Sequence, residues 1–146
     1  MILNMGDTQL KCYEDGRIER LDKRSNKWRV VKGANSLGYL AIGIEDKRYQ
    51  FHRIIYKAFN PEWDLHSPLK IDHINRDRKD NRIENLRLVT IQENAFNRDA
   101  KGVSCSRNGF LAYIKLNGKS FAKRFAKEDE AREWYLQQKA ILHIIK

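Results

Sequence analysis

Apolar residues recur along this chain with two periods, and the switches between them divide it. Up to about residue 50 the pattern is short and alternating. Asp15-Gly16 lies between two such runs, a hairpin signal. Trp28-Arg29-Val30-Val31 and Tyr39-Leu40-Ala41-Ile42-Gly43-Ile44 follow, broken by Gly33 and Gly38. The period then lengthens. Phe51, Ile54, Ile55, Ala58 and Phe59 fall at i, i+3, i+4, i+7 and i+8, which predicts an amphipathic helix stopped by Asn60-Pro61. Residues 60–68, with two prolines, read as a loop. Next come a short strand ending in Asp72-His73, a polar turn, and a second strand, Leu86-Arg87-Leu88-Val89. Thr90-Ile91-Gln92-Glu93 has the form of a capping box, so a helix starts near Ile91 with Asn94 in its first turns.

The last third repeats the order of strands before helix. Phe110, Ala112, Ile114 and Leu116 alternate with Leu111, Tyr113 and Lys115, and Asn117-Gly118 is a two-residue hairpin turn. Lys119 to Phe125 reads as the returning strand. A helix is expected from Glu128 to Ile145, with Ala131, Trp134, Tyr135, Ile141, Leu142 and Ile145 toward the sheet and Glu128-Asp129-Glu130 suiting its dipole. Trp28, Trp63 and Trp134 are expected in cores. The fold class is α+β: a β-rich N-terminal module at 1–50, a central strand–strand–helix unit with its leading helix at 51–98, and a three-stranded antiparallel sheet on one helix at 99–146.

Charge then narrows the partners. The 146 residues carry a net charge of +10, which favours a polyanion. Residues 101–146 hold ten basic and four acidic side chains, and within 100–127 seven basic residues stand without an acid. The middle is nearly neutral. This suggests chemistry in the centre and grip at the end. No apolar run reaches the roughly 18 residues of a membrane span, and the first residues lack the regions of a signal peptide. Cys12 and Cys105 lie far apart with no Cys-x-x-Cys pair, which argues against a disulfide framework or cysteine zinc site. A reduced cytoplasmic setting is the expectation.

Asp72, His73, Asn85 and Asn94 are the candidate chemical groups. A carboxylate and an amide carbonyl are hard oxygen donors, suited to Mg²⁺ or Mn²⁺. A neutral imidazole beside them can deprotonate water, as phosphodiester hydrolysis requires. Asn75, Asp77, Asp80 and Asn81 read as turn residues, and His52 and Arg53 as a solvated or DNA-facing helix edge. Asp72 and His73, neighbours on a strand, would point to opposite faces of a regular one.

Asp72-His73-Ile74-Asn75 … Asp80-Asn81-Arg82-Ile83-Glu84-Asn85-Leu86-Arg87-Leu88-Val89 … Glu93-Asn94 resembles the HNH endonucleases of the phage and intron homing type. The helix Phe51–Phe59 is similar to the one that leads into that nuclease. The resemblance implies a ββα unit around one divalent metal, with His73 as general base and Asp72 and Asn94 as metal ligands. It also implies that Asn85 braces the loop and orients His73. Gly102-Val103-Ser104 … Phe110 to Lys119 … Phe125 … Asp129-Glu130-Ala131 resembles the ethylene-response-factor type of DNA-binding domain. That family lays a three-stranded sheet in the major groove. The resemblance implies Arg107, Tyr113, Lys115, Lys119 and Phe121 as contacts; Lys123 and Arg124 in the acid-free run, and Arg53 on the helix edge, are further candidates.

The expected function is a site-specific, metal-dependent endonuclease acting on double-stranded DNA in a bacterial or phage-infected cell. One motif on an asymmetric chain suggests a monomer that nicks one strand, with no protein partner implied. The alternatives are a non-catalytic sequence-specific DNA-binding regulator and a nonspecific nuclease of the same type.

Overall fold

The computed structural model describes residues 1–98 and 100–145. Its strands are β1 (Ile2–Met5), β2 (Thr8–Cys12), β3 (Ile18–Asp22), β4 (Lys27–Val30), β5 (Ala34–Ser36), β6 (Tyr39–Ile44), β7 (Lys47–Gln50), β8 (Lys70–His73), β9 (Leu86–Val89), β10 (Val103–Ser106), β11 (Gly109–Leu116) and β12 (Lys119–Phe125). Its helices are α1 (Phe51–Phe59), α2 (Ile91–Phe96) and α3 (Glu128–Leu142), with a 3₁₀ turn at Ile83–Asn85 before β9. The strands form four sheets: β1-β2-β3-β4, β5-β6-β7, β8-β9 and β10-β11-β12. Pairings within the first, second and fourth are antiparallel. The mixed α+β class expected from the pattern is the one observed.

The chain divides into two units, Met1–Leu88 and Val89–Lys146. The division expected after residue 50 does not follow the packing. Leu10, Cys12 and Ile18 of the first sheet share one core with Ile42, Ile44, Phe51, Ile54, Ile55, Ile71 and Leu86. The reason is that β2, β3 and α1 each have one apolar side and bury it together; none has enough apolar surface for a core of its own. The expected boundary at residue 98 is likewise displaced, because α2 clusters with the C-terminal strands.

The Asp15-Gly16 signal does mark a turn, although a longer one than two residues. Tyr13 N donates to Arg17 O at 3.0 Å, and Gly16 N donates to Tyr13 O at 3.0 Å. Gly16 has φ +88°, and a Cβ there would meet the backbone carbon of Asn81 at 2.7 Å. Ile83 N also donates to Glu14 O at 2.9 Å. The N-terminal hairpin thus lies directly against the loop between β8 and β9.

In the second unit, Val103, Ala112, Ile114, Ala131 and Tyr135 form the core. Asn117 and Gly118 both have positive φ, 50° and 77°, as the predicted two-residue turn requires. The helix ends at Leu142 rather than Ile145, and Ile141, expected against the sheet, is 64% exposed. Of the three tryptophans only Trp63 is buried; Trp28 and Trp134 are half-buried.

Candidate active site

The strand β8 delivers Asp72 and His73 to its C-terminal end, 7% and 5% exposed. The two neighbours take different partners. Asp72 Oδ2 accepts from Arg87 Nε at 3.0 Å and Nη2 at 2.8 Å, across the ribbon with β9. His73 Nε2 lies 3.0 Å from Asn81 Oδ1. The His73 ring also meets His52 edge-on, with centroids 5.0 Å apart at 74°, and Tyr39 at 5.9 Å. A strand's alternation explains the split, since adjacent side chains leave on opposite sides.

The loop between β8 and β9 is a set of side-chain-to-backbone turns. Asn75 Oδ1 accepts from Asp77 N at 2.9 Å, Asp77 Oδ1 from Lys79 N at 3.0 Å, and Asp80 Oδ1 from Arg82 N at 3.3 Å. The Arg82 guanidinium beside Asp80, bonding both its oxygens, holds that carboxyl down to about 2. Asn85 closes the loop. Its Nδ2 donates to Asn75 Oδ1 at 2.9 Å and Asp80 O at 2.8 Å, and its Oδ1 accepts from Asn75 N at 3.0 Å. Its carbonyl accepts from Ile74 N at 2.9 Å.

Asn81 differs from its neighbours. It is 3% exposed, and its side-chain oxygen goes to the imidazole rather than to a turn amide. Asn85 braces the loop, and a side-chain contact to the His73 imidazole comes from Asn81. Within the sequence it looked like one more turn asparagine; position alone carried no signal for its partner. His52 was also misread. It is 5% exposed, not on a solvated edge, and burial pushes its pKa down to about 3, helped by the charges of His73 and Arg53. Its place in the apolar stripe of α1, beside Phe51, was the available signal.

Arg53 does not project toward solvent as a free cation. Its guanidinium donates to Leu65 O and lies 5.1 Å over the Trp63 ring. It fastens the loop after α1.

The remaining candidates lie in the second unit. Asn94 is half-buried in α2, where its N–H donates to Thr90 O at 2.9 Å. The capping box holds that helix start: Glu93 N donates to Thr90 Oγ1 at 3.2 Å, and Thr90 N to Glu93 Oε2 at 2.8 Å. Arg107 is exposed in the turn before β11. Directly paired residues of antiparallel strands share a face. Leu111 pairs with Arg124, Tyr113 with Ala122 and Lys115 with Ser120, so Tyr113, Lys115 and Arg124 occupy the face away from the core. Ala112 and Ile114, in the core, pair with Lys123 and Phe121, and Leu116 pairs with Lys119. Lys119, Phe121 and Lys123 thus belong to the face that carries α3. The expected contacts do not form one surface.

Among the described residues, no three of His, Cys, Asp and Glu gather as a metal-binding group. Within the first unit Asp72 offers a buried carboxylate, the kind of hard oxygen donor that an ion keeping water and phosphate in its shell accepts.

Residues 49–96, which hold the strand-end Asp-His pair, the asparagine-braced loop and the capped helix bearing Asn94, match a family model described as HNH endonuclease. Two particular relatives come from Acanthamoeba polyphaga mimivirus. The uncharacterized HNH endonuclease L560 is 31% identical over 115 residues, 75% of this chain and 58% of its own length. The uncharacterized HNH endonuclease L247 is 31% identical over 77 residues, 49% of this chain and 19% of its own. The chain thus spans a little over half of the first relative and about a fifth of the second. The solved HNH homing endonuclease I-HmuI, described in terms of DNA binding and cleavage, aligns with a TM-score of 0.47 at 21% identity, over 82% of this chain and 72% of its own.

Proposed function

We propose that the chain is a metal-dependent DNA endonuclease of the homing type. The observation that carries this reading is the buried His73 at the end of β8, bonded at Nε2 by Asn81 and adjacent to Asp72, inside the segment that matches the HNH family.

His73 takes a proton from water. The hydroxide forms a new bond to phosphorus as the bond to the 3′ oxygen breaks, leaving a 5′ phosphate. The departing oxygen is protonated by solvent, and the imidazolium returns its proton to solvent. Asp72 would hold Mg²⁺ or Mn²⁺, whose charge stabilises the departing oxygen when bound. Asn85 and the turns it closes keep the strand end in shape while a phosphate is bound. The exposed sheet face of Tyr113, Lys115 and Arg124 supplies duplex contact, with one chain and one motif nicking one strand.

Supercoiled plasmid tests this directly. Purified protein with Mg²⁺ is expected to convert it to the nicked form, and EDTA to stop conversion. His73→Ala should lower the rate by about 10²–10⁴, the contribution of a positioned base, with DNA retardation in gels unchanged. Cleavage by His73→Ala at the wild-type rate would overturn the mechanism; retardation without any nicking by the wild type would leave a DNA-binding protein only.

A further inference from the structure

We infer that Leu37 is a wedge: its side chain enters the base stack of duplex DNA beside the scissile phosphate and opens one base step there. The inference rests on the endonuclease reading and deepens it, by naming a residue that selects where the duplex is cut.

Two residues, Leu37 and Gly38, join β5 to β6, with Ser36 paired to Tyr39 across the turn. Both have positive φ, 54° and 86°. Such turns favour asparagine or aspartate followed by glycine. Among the described residues, the other non-glycine positions at positive φ are Asn26, Glu45, Arg76 and Asn117; Leu37 alone of this set is apolar. It is also 89% exposed, more than any other large apolar side chain described. Folding gains nothing from leucine here, since the backbone is strained and the side chain stays in water. A residue that breaks the local rule without a gain in packing points to a use outside the fold.

The turn is held at the rim of the β8 strand end. Gly38 N donates to Asn35 Oδ1 at 2.9 Å. Arg78, from the loop after His73, donates from Nη1 to Leu37 O at 3.2 Å, and its guanidinium lies 5.0 Å over the Tyr39 ring. The Tyr39 ring in turn lies 5.9 Å from that of His73. Leu37 and Tyr39 are two residues apart, so their Cα atoms are separated by about 7 Å at most.

The neighbours decide the occupant. Arg76, Arg78 and Lys79 are exposed in the loop after His73, and Ser36 lines one pocket with Arg48 and His66. Cations around a lone apolar tip suit a base step flanked by phosphates, whereas an apolar protein surface would strip them of water without pairing them. His73 is only 5% exposed. A ring so buried is reached more readily by a backbone that bends toward it, and an apolar wedge kinks the duplex by unstacking one step. Pyrimidine–purine steps open most easily, so cuts should fall beside them.

The test places 2-aminopurine at successive positions across a duplex site located by DNase I footprinting of the wild type in EDTA. Fluorescence is expected to rise at one step on binding, the step beside the nick that appears when Mg²⁺ is added. Leu37→Asn suits the turn, so its urea midpoint should equal or exceed that of the wild type. It should protect the same site without the rise, and its kcat for nicking should fall about 10–100-fold. A mismatch at that step loosens it in advance and should return the variant to within about threefold of the wild type. The wedge is overturned by a bound wild type that leaves every position stacked, by nicking of the matched duplex by Leu37→Asn at the wild-type rate, or by a mismatch that fails to restore the variant. A rise without any nicking would sink the endonuclease reading and leave the insertion standing; nicking without a rise would sink the wedge alone.

Discussion

Burial keeps the His52 imidazole neutral, its pKa pushed down to about 3 by desolvation and then by the charges of His73 and Arg53. In an unfolded chain the same group protonates near 6.5. Between these values the unfolded state binds more protons, so stability is full above about pH 6.5 and is lost as pH falls toward 3. The loss is on the order of a few kcal/mol. Urea denaturation at pH 7 and pH 5 should show it, and His52→Phe should flatten the difference between the two. The two asparagines of the loop separate differently. Asn85 makes three side-chain hydrogen bonds while buried, so Asn85→Ala should cost about 1–3 kcal/mol of stability. Asn81 makes one, to the imidazole, and its loss should appear in turnover first.

At the scale of elements, turn and cap chemistry place the active groups. The six-residue α2 carries Asn94 and begins at a full capping box. Thr90→Ala should cost about 1 kcal/mol, visible as a lower urea midpoint. Gly16 sits where the N-terminal hairpin meets the loop of Asn81, at φ +88°. Gly16→Ala combines that backbone strain, of order 1–3 kcal/mol, with displacement of Asn81, so cleavage should fall even where the fold survives. The β10-β11-β12 sheet makes a contrasting prediction from register alone. Lys115→Ala and Arg124→Ala, on the face away from the core, should each reduce the salt slope of DNA binding by about 1. Lys123→Ala, on the face that carries α3, should leave it nearly unchanged. Equal effects at the three positions would count against groove contact through the open face.

At the scale of the molecule, charge and core are distributed differently. The C-terminal residues 101–146 hold ten basic and four acidic side chains, while the first 88 residues carry the Asp-His strand end and the larger core. If about six to ten phosphates are neutralised, DNA affinity should drop by roughly 10³–10⁵ between 50 and 200 mM salt. A titration by fluorescence anisotropy checks this, and a flat response would exclude an electrostatic grip. The shared core also gives the N-terminal strands a purpose beyond contact with nucleic acid. They support α1 and, through the Glu14–Ile83 backbone bond, the loop that holds the imidazole.

The sequence by itself determined most of the elements and named candidate chemical groups. Periods of two and near 3.6, the capping box at Thr90 and the Asn117-Gly118 turn act between near neighbours, so they are legible in one dimension. The Asp-His pair and the two spaced asparagines were legible for the same reason. Only the tertiary structure decided the partners. Asn81 reaches His73, Arg87 pairs with Asp72, Arg53 ties down Leu65, and His52 is walled in by residues of other elements. Each of those contacts depends on how loops and strands 8 to 21 residues apart fold back on one another. Polar groups become selective there because burial removes water as a competing partner.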